Sequence, residues 1–147
     1  MAEMVHQQQA LTEAEYEEFE RLFVRPPPPA FKAYYMRANG GYVSEEDAEA
    51  DKFGLPVSGF DPIKYGKSPI EEGIESLADI EPNEFGAWQK YEFIPFAYDS
   101  GDNIVFLSLR EQDYESVYIF DMNVGTIAMV APSFETFLSK LFKDDFS

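Results

Sequence analysis

No cysteine occurs in the 147 residues, there is one tryptophan and one histidine, and only 11 lysines and arginines stand against 28 aspartates and glutamates, a formal charge of −17. Each shortage excludes something. Without cysteine there are no disulfides, no thiolate nucleophile and no thiolate metal site, which agrees with a reducing compartment. The one histidine, His6, lies in a polar lead-in. No Ser/His/Asp triad, histidine metal cluster or imidazole base can therefore be assembled in the folded part. The shortage of cations weighs against direct nucleic-acid binding and against a membrane surface, because phosphate backbones and anionic lipids reward Lys and Arg. No apolar run approaches the ~20 residues of a membrane helix. Met1 to Gln9 has neither a basic start nor an apolar stretch, so a cytoplasmic protein is expected.

What the chain does have is apolar and aromatic material. Residues of the hydrophobic set make up 45%, with 14 Phe and 9 Tyr. That content is far above a disordered acidic tail, so the charge belongs to a folded surface. The length suits one domain able to bury roughly 70% of its unfolded surface. The expected organisation is a flexible lead-in over 1–10 and one domain over 11–147.

Thr12 and Glu15 form a capping-box pair with Leu11 as a staple, and Tyr16, Phe19, Leu22 and Phe23 follow at helical spacing. This predicts a helix ending near Val24. Pro26 to Pro29 cannot continue it and make a rigid spacer. Phe31, Tyr34, Tyr35 and Ala38 predict a second helix, stopped by Asn39-Gly40-Gly41 through left-handed backbone. The acidic stretch Ser44 to Asp51 reads as a mobile loop or a helix start. Phe53 to Tyr65, rich in Gly and Pro, reads as short strands and turns. Ser68-Pro69-Ile70-Glu71 opens a third helix reaching about Leu77. Phe93–Tyr98 and Asn103–Leu109 around Asp99-Ser100-Gly101-Asp102 form a hairpin signal. Pro95 predicts that its strand lies at a sheet edge or begins beyond it. Val117–Phe120 and Thr126–Val130 add strands, and Ser133 caps a closing helix with Phe134, Phe137, Leu138 and Leu141 on one face. The fold class is α+β: a central, mostly antiparallel sheet flanked by N-terminal helices and a C-terminal helix.

No constellation for catalysis stands out. With so many carboxylates, close pairs are the background expectation, so a carboxylate-based hydrolase is a distant alternative. Asp99 to Asn103 lacks the ligand spacing of an EF-hand, and Glu45 to Asp51 lacks a spaced ligand pattern. No metal or cofactor is expected. The composition describes a binding protein, not an enzyme.

Three segments together resemble the SUKH superfamily of glucan-synthesis regulators and bacterial immunity proteins: Pro28 to Gly41, Phe93 to Asp121 with its Ile94-Pro95-Phe96-Ala97 strand, and Val130 to Leu138. The resemblance covers about Leu11 to Phe142. It implies an α+β fold without enzymatic activity and, in bacteria, an immunity protein that binds and neutralises a cognate toxin, often a nuclease, in the cytoplasm. The alternative it offers is a regulatory or scaffold protein of the glucan-synthesis kind. A nuclease is basic where it holds phosphate, so an acidic inhibitor can steer onto that patch. The candidate contacts are Asp99 and Asp102 in the hairpin turn and Glu111, Asp113 and Glu115 in the next connection. For each of these the competing reading is a solvating loop charge.

Overall fold

A computed structural model describes residues 3–78 and 89–143. The ends of the expected partition, 1–2 and 144–147, lie outside the described residues.

Among the described residues, five α-helices and six strands follow in the order α1 (Glu13–Glu20), α2 (Pro29–Arg37), β1 (Gly41–Tyr42), α3 (Glu45–Glu49), β2 (Gly59–Phe60), α4 (Ile70–Ala78), β3 (Phe93–Tyr98), β4 (Ile104–Ser108), β5 (Val117–Asp121), β6 (Thr126–Ala131) and α5 (Phe134–Leu141). The strands form one antiparallel sheet in chain order, β1 to β6, a meander with no crossover. The fold is α+β, as the sequence indicated.

The caps do what their chemistry dictates. Thr12 accepts from the Glu15 amide while the Glu15 carboxylate accepts from the Thr12 amide, and Ser133 accepts from the Thr136 amide. Such caps satisfy amides that have no partner within the helix. Ser44 does the same for α3, so the acidic stretch is a short helix. Helix α1 ends at Glu20, before the predicted Val24, and Leu22 and Val24 are exposed. The apolar spacing continued past the point where the backbone stopped.

One face of the sheet packs against α1, α2 and α5 through a continuous aromatic cluster. Phe31 is fully buried and touches the rings of Phe19, Tyr35, Phe96 and Phe134. The other face carries a smaller cluster of Phe93, Phe106, Tyr118 and Phe120 with Leu77 of α4. Helix α4 lies against β3 and serves both layers, with Ile70 and Ile74 in the first.

Pro95 corrects an expectation. Its strand is third of six, not an edge. Yet β2 has only two residues and pairs with Ala97 and Tyr98, so at Pro95 the ladder continues on the β4 side alone, beside a register shift. A proline is tolerated where the neighbouring strand has run out.

In the Asn39-Gly40-Gly41 stop the left-handed backbone is taken by the glycines alone: Gly40 and Gly41 take positive φ, whereas Asn39 does not. A Cβ on Gly41 would lie 2.8 Å from the Val5 carbonyl oxygen. Asn39 is buried instead, donating to the carbonyls of Gln9 and Ile63 and accepting from the Ile63 amide. It joins three separate stretches of chain. Asn39→Ala strands these backbone groups and is expected to cost about 2 kcal/mol, read as a lower urea midpoint at unchanged slope.

The lead-in lies along this corner. Val5 and Tyr42 exchange two backbone hydrogen bonds, Met4 is buried, and exposed His6 stacks on Tyr42.

Candidate functional site

The five candidate carboxylates do not share one surface. The β3–β4 turn holds Asp99 and Asp102, and the β4–β5 connection holds Glu111, Asp113 and Glu115. Since β4 runs Ile104–Ser108 between them, the two groups sit at opposite ends of the sheet, about 17 Å apart along the strand.

At the β4–β5 end, Asp113 is bound within the fold. It pairs with Arg110 through both carboxylate oxygens and accepts from the hydroxyls of Ser108 and Tyr118. Arg110 in turn lies over the Phe93 ring, 5.0 Å from its centroid. Burial opposes ionisation of Asp113, but the hydrogen bonds from Arg110, Ser108 and Tyr118 and the guanidinium charge outweigh it and hold its carboxyl below the ordinary range. Glu111 is exposed and stands 3.7 Å from Arg25, and the Tyr114 hydroxyl donates to the Pro26 carbonyl. Glu115 is partly exposed, with positive φ. Through Glu111 with Arg25 and Tyr114 with Pro26, this end ties the sheet to the proline spacer.

The β3–β4 end is open. Asp99 accepts from the amides of Gly101 and Asn103 and from the Asn103 side chain, which fixes the turn and, against a burial effect of opposite sign, lowers its pKa. Asp102 is exposed and left-handed, a conformation Asp tolerates. Asn103 also accepts from the Met122 amide, so the β5–β6 turn is held at this same end.

Helix α3 converges here. Asp47, Asp51 and Ser100 line one shallow groove with Val43, Phe53 and Leu55. Lys52 lies 3.3 Å from Asp47 and Lys143 3.7 Å from Asp51, while no ion pair with a described residue involves Glu45, Glu46, Glu49 or Asp102. The acidic run, with no assigned role in the sequence, thus joins the hairpin turn in one acidic end.

Sequence reasoning missed Asp61, which sits beside this end. It lines a second cleft with Tyr42, Tyr98 and His6. Burial pushes its carboxyl up to about 6. No local motif marks it, because its surroundings come from α2, β1 and β3.

Among the described residues, no helix is long and apolar enough to cross a membrane. The architecture is a sheet meander packed on helices, with acidic loops at one open end. Residues 10–140 match the SMI1 / KNR4 family (SUKH-1), and the chain belongs to that family. At the level of the family, the role is that of a non-catalytic immunity or regulatory protein. No curated protein matches the sequence significantly.

Proposed function

We propose that this protein is a non-catalytic immunity protein, acting in the cytoplasm of the producing cell, which neutralises a cognate basic protein toxin through the acidic end formed by the β3–β4 turn and α3. The observation that carries the reading is the convergence of Asp99 and Asp102 with the carboxylates of α3 on one open end. Family membership supports the class of activity, and the charge of −17 supports a basic partner. The acidic end presents negative charge where a nuclease would hold phosphate, so encounter is steered and the toxin's own substrate site is covered. Of the five sequence candidates, Asp99 and Asp102 are the proposed contacts. Glu111 and Glu115 stand at the far end, and Asp113 supports the fold.

The test is kinetic and cellular. The toxin encoded beside this gene is expressed with and without the protein, and association is followed by stopped flow across salt concentrations. Growth rescue is expected, with an association rate that falls at least tenfold between low and high salt. Asp102→Asn combined with Asp47→Asn should slow association several-fold and leave the stability of the free protein nearly unchanged. A rate indifferent to salt, or no rescue, overturns the proposal.

A further inference from the structure

Asp61 lies in a cleft beside the acidic end. The cleft has a volume of about 280 Å³ and is lined by Asp61, Tyr42, Phe60, Tyr98, His6 and Lys67, among others. Three backbone features fix its floor. The Asp61 amide donates to the Phe96 carbonyl at 2.8 Å, and the Asp61 carbonyl accepts from the buried Tyr35 hydroxyl at 2.8 Å. Gly59 lets Tyr98 cross the strand, since a Cβ there would lie 2.4 Å from the Tyr98 hydroxyl. The side chain is otherwise left alone. Its carboxylate makes no hydrogen bond and no ion pair with any described residue. Lys67 is exposed at the rim and is not paired with it. The titratable neighbours are Tyr35 beneath, Tyr98 and Tyr42 on the strands, His6 on the lead-in and Lys67.

A half-buried carboxylate held without a partner destabilises the fold when ionised, and burial has raised it to about 6 for that reason. Structural carboxylates are ordinarily given donors, as Asp113 and Asp99 are in this same chain. Asp61 has none among the described residues, and the rings of Tyr42, Phe60, Tyr98 and His6 line the cleft around it. His6 and Tyr42 stack nearly parallel, 8° apart with centroids at 5.1 Å. Their outer faces are flat π surfaces of the kind on which a guanidinium lies.

We infer that this cleft is a receptor for one arginine side chain of the protein partner, with Asp61 pairing the guanidinium and the His6–Tyr42 stack and Tyr98 flanking it. The inference rests on the proposed function for the existence of a basic partner, and it adds a specific anchor to a reading otherwise based on diffuse charge. Rim charges govern encounter, whereas a desolvated charge pair in an aromatic pocket governs residence.

Two measurements test it. In the first, N-acetyl-arginine amide is titrated into the free protein, and the Asp61 carboxyl is followed by NMR through its pH titration. The midpoint is expected to fall from about 6 toward the ordinary carboxylate range, with shifts in the Tyr42 and Tyr98 ring signals. Asp61→Asn should lose the ring shifts. Equal shifts with N-acetyl-norleucine amide overturn the receptor. In the second, Asp61→Asn is compared with the wild type in toxin binding and thermal unfolding. Affinity should fall about thirtyfold or more, chiefly through faster dissociation. The free variant should unfold at a higher temperature at pH 7. The sign follows from the raised pKa: the ionised form is disfavoured in the fold, so stability is lost as pH rises from the unfolded to the folded value, and a neutral amide avoids that loss. An unchanged affinity, or a destabilised variant, overturns the proposal. If the wild type binds no basic toxin, the proposed function fails, while the arginine titration still decides the pocket.

Discussion

Replacing Phe31 with alanine is expected to remove about 3–5 kcal/mol of folding stability. The side chain is fully buried and stands where four elements meet: Phe19 of α1 at 6.3 Å between centroids, Tyr35 of its own helix at 4.7 Å, Phe96 of β3 at 6.2 Å and Phe134 of α5 at 5.1 Å. Truncation forfeits the transfer energy of the ring and leaves a cavity. The surrounding aromatic rings are large and stiff, so they close it poorly. Against a total stability of about 5–15 kcal/mol, this places the variant near its unfolding threshold at growth temperature. Urea unfolding measures it, with Met129→Ala as the comparison. Met129 is 58% exposed and should change stability by no more than about 0.5 kcal/mol. A loss below about 1 kcal/mol for Phe31→Ala would mean that the aromatic cluster repacks freely, contrary to the close-packed arrangement.

Asp113→Ala is expected to cost about 3 kcal/mol at neutral pH, because it takes the carboxylate from beside the nearly buried Arg110 guanidinium and removes the acceptor to which the Ser108 and Tyr118 hydroxyls donate. The side chains of both ion-pair partners are nearly buried, 11% and 12% exposed, so solvent screens the pair only weakly. The pH dependence identifies the cause. The folded pKa of Asp113 lies below its unfolded value, so its contribution is full above the unfolded value and disappears as pH falls through the folded one. The difference between wild type and variant, followed by denaturation at a series of pH values, should therefore be constant near neutrality and shrink in acid. A deficit that persists at the lowest pH would assign the effect to lost packing instead of charge. The same residue is a poor choice for probing the partner interface, since reduced binding would follow from a loosened loop.

Much of this architecture is local chemistry and was legible for that reason. Thr12 with Glu15, Ser133 with Thr136, and the polar turn between Tyr98 and Ile104 each act within a few residues, and all were found where their patterns stood. The failures have tertiary causes. Strand β1 is two residues long, too short to show any periodicity, and exists because β2 and the Val5 segment offer partners, whereas β2 falls within the stretch read as short strands and turns. Pro95 was misplaced because its tolerance depends on where β2 ends. Glu111, Asp113 and Glu115 look alike in sequence, yet only Asp113 has Arg110 three residues before it and Tyr118 five after, on a strand that returns past it. The separation of the two carboxylate groups was in principle readable, since a single strand lies between them. Asp61 was not readable, because what surrounds it is brought together from 6 to 98 along the chain.

The free edge of the sheet gives the acidity a second meaning. No charged residue stands between Asp121 and Glu135, and among the described residues β6 borders the sheet with Thr126, Ala128 and Met129 exposed, while Lys140 donates to its Val130 carbonyl. Neutral strands at a border are templates for further strands, and within β6 there is no lysine, proline or inward charge to block that. The safeguard is colloidal: long-range repulsion between copies keeps their edges apart. It vanishes near the isoelectric point of about 4.2, where the same surface becomes adhesive. The exposed carboxylates thus serve solubility, whether or not they ever meet a toxin.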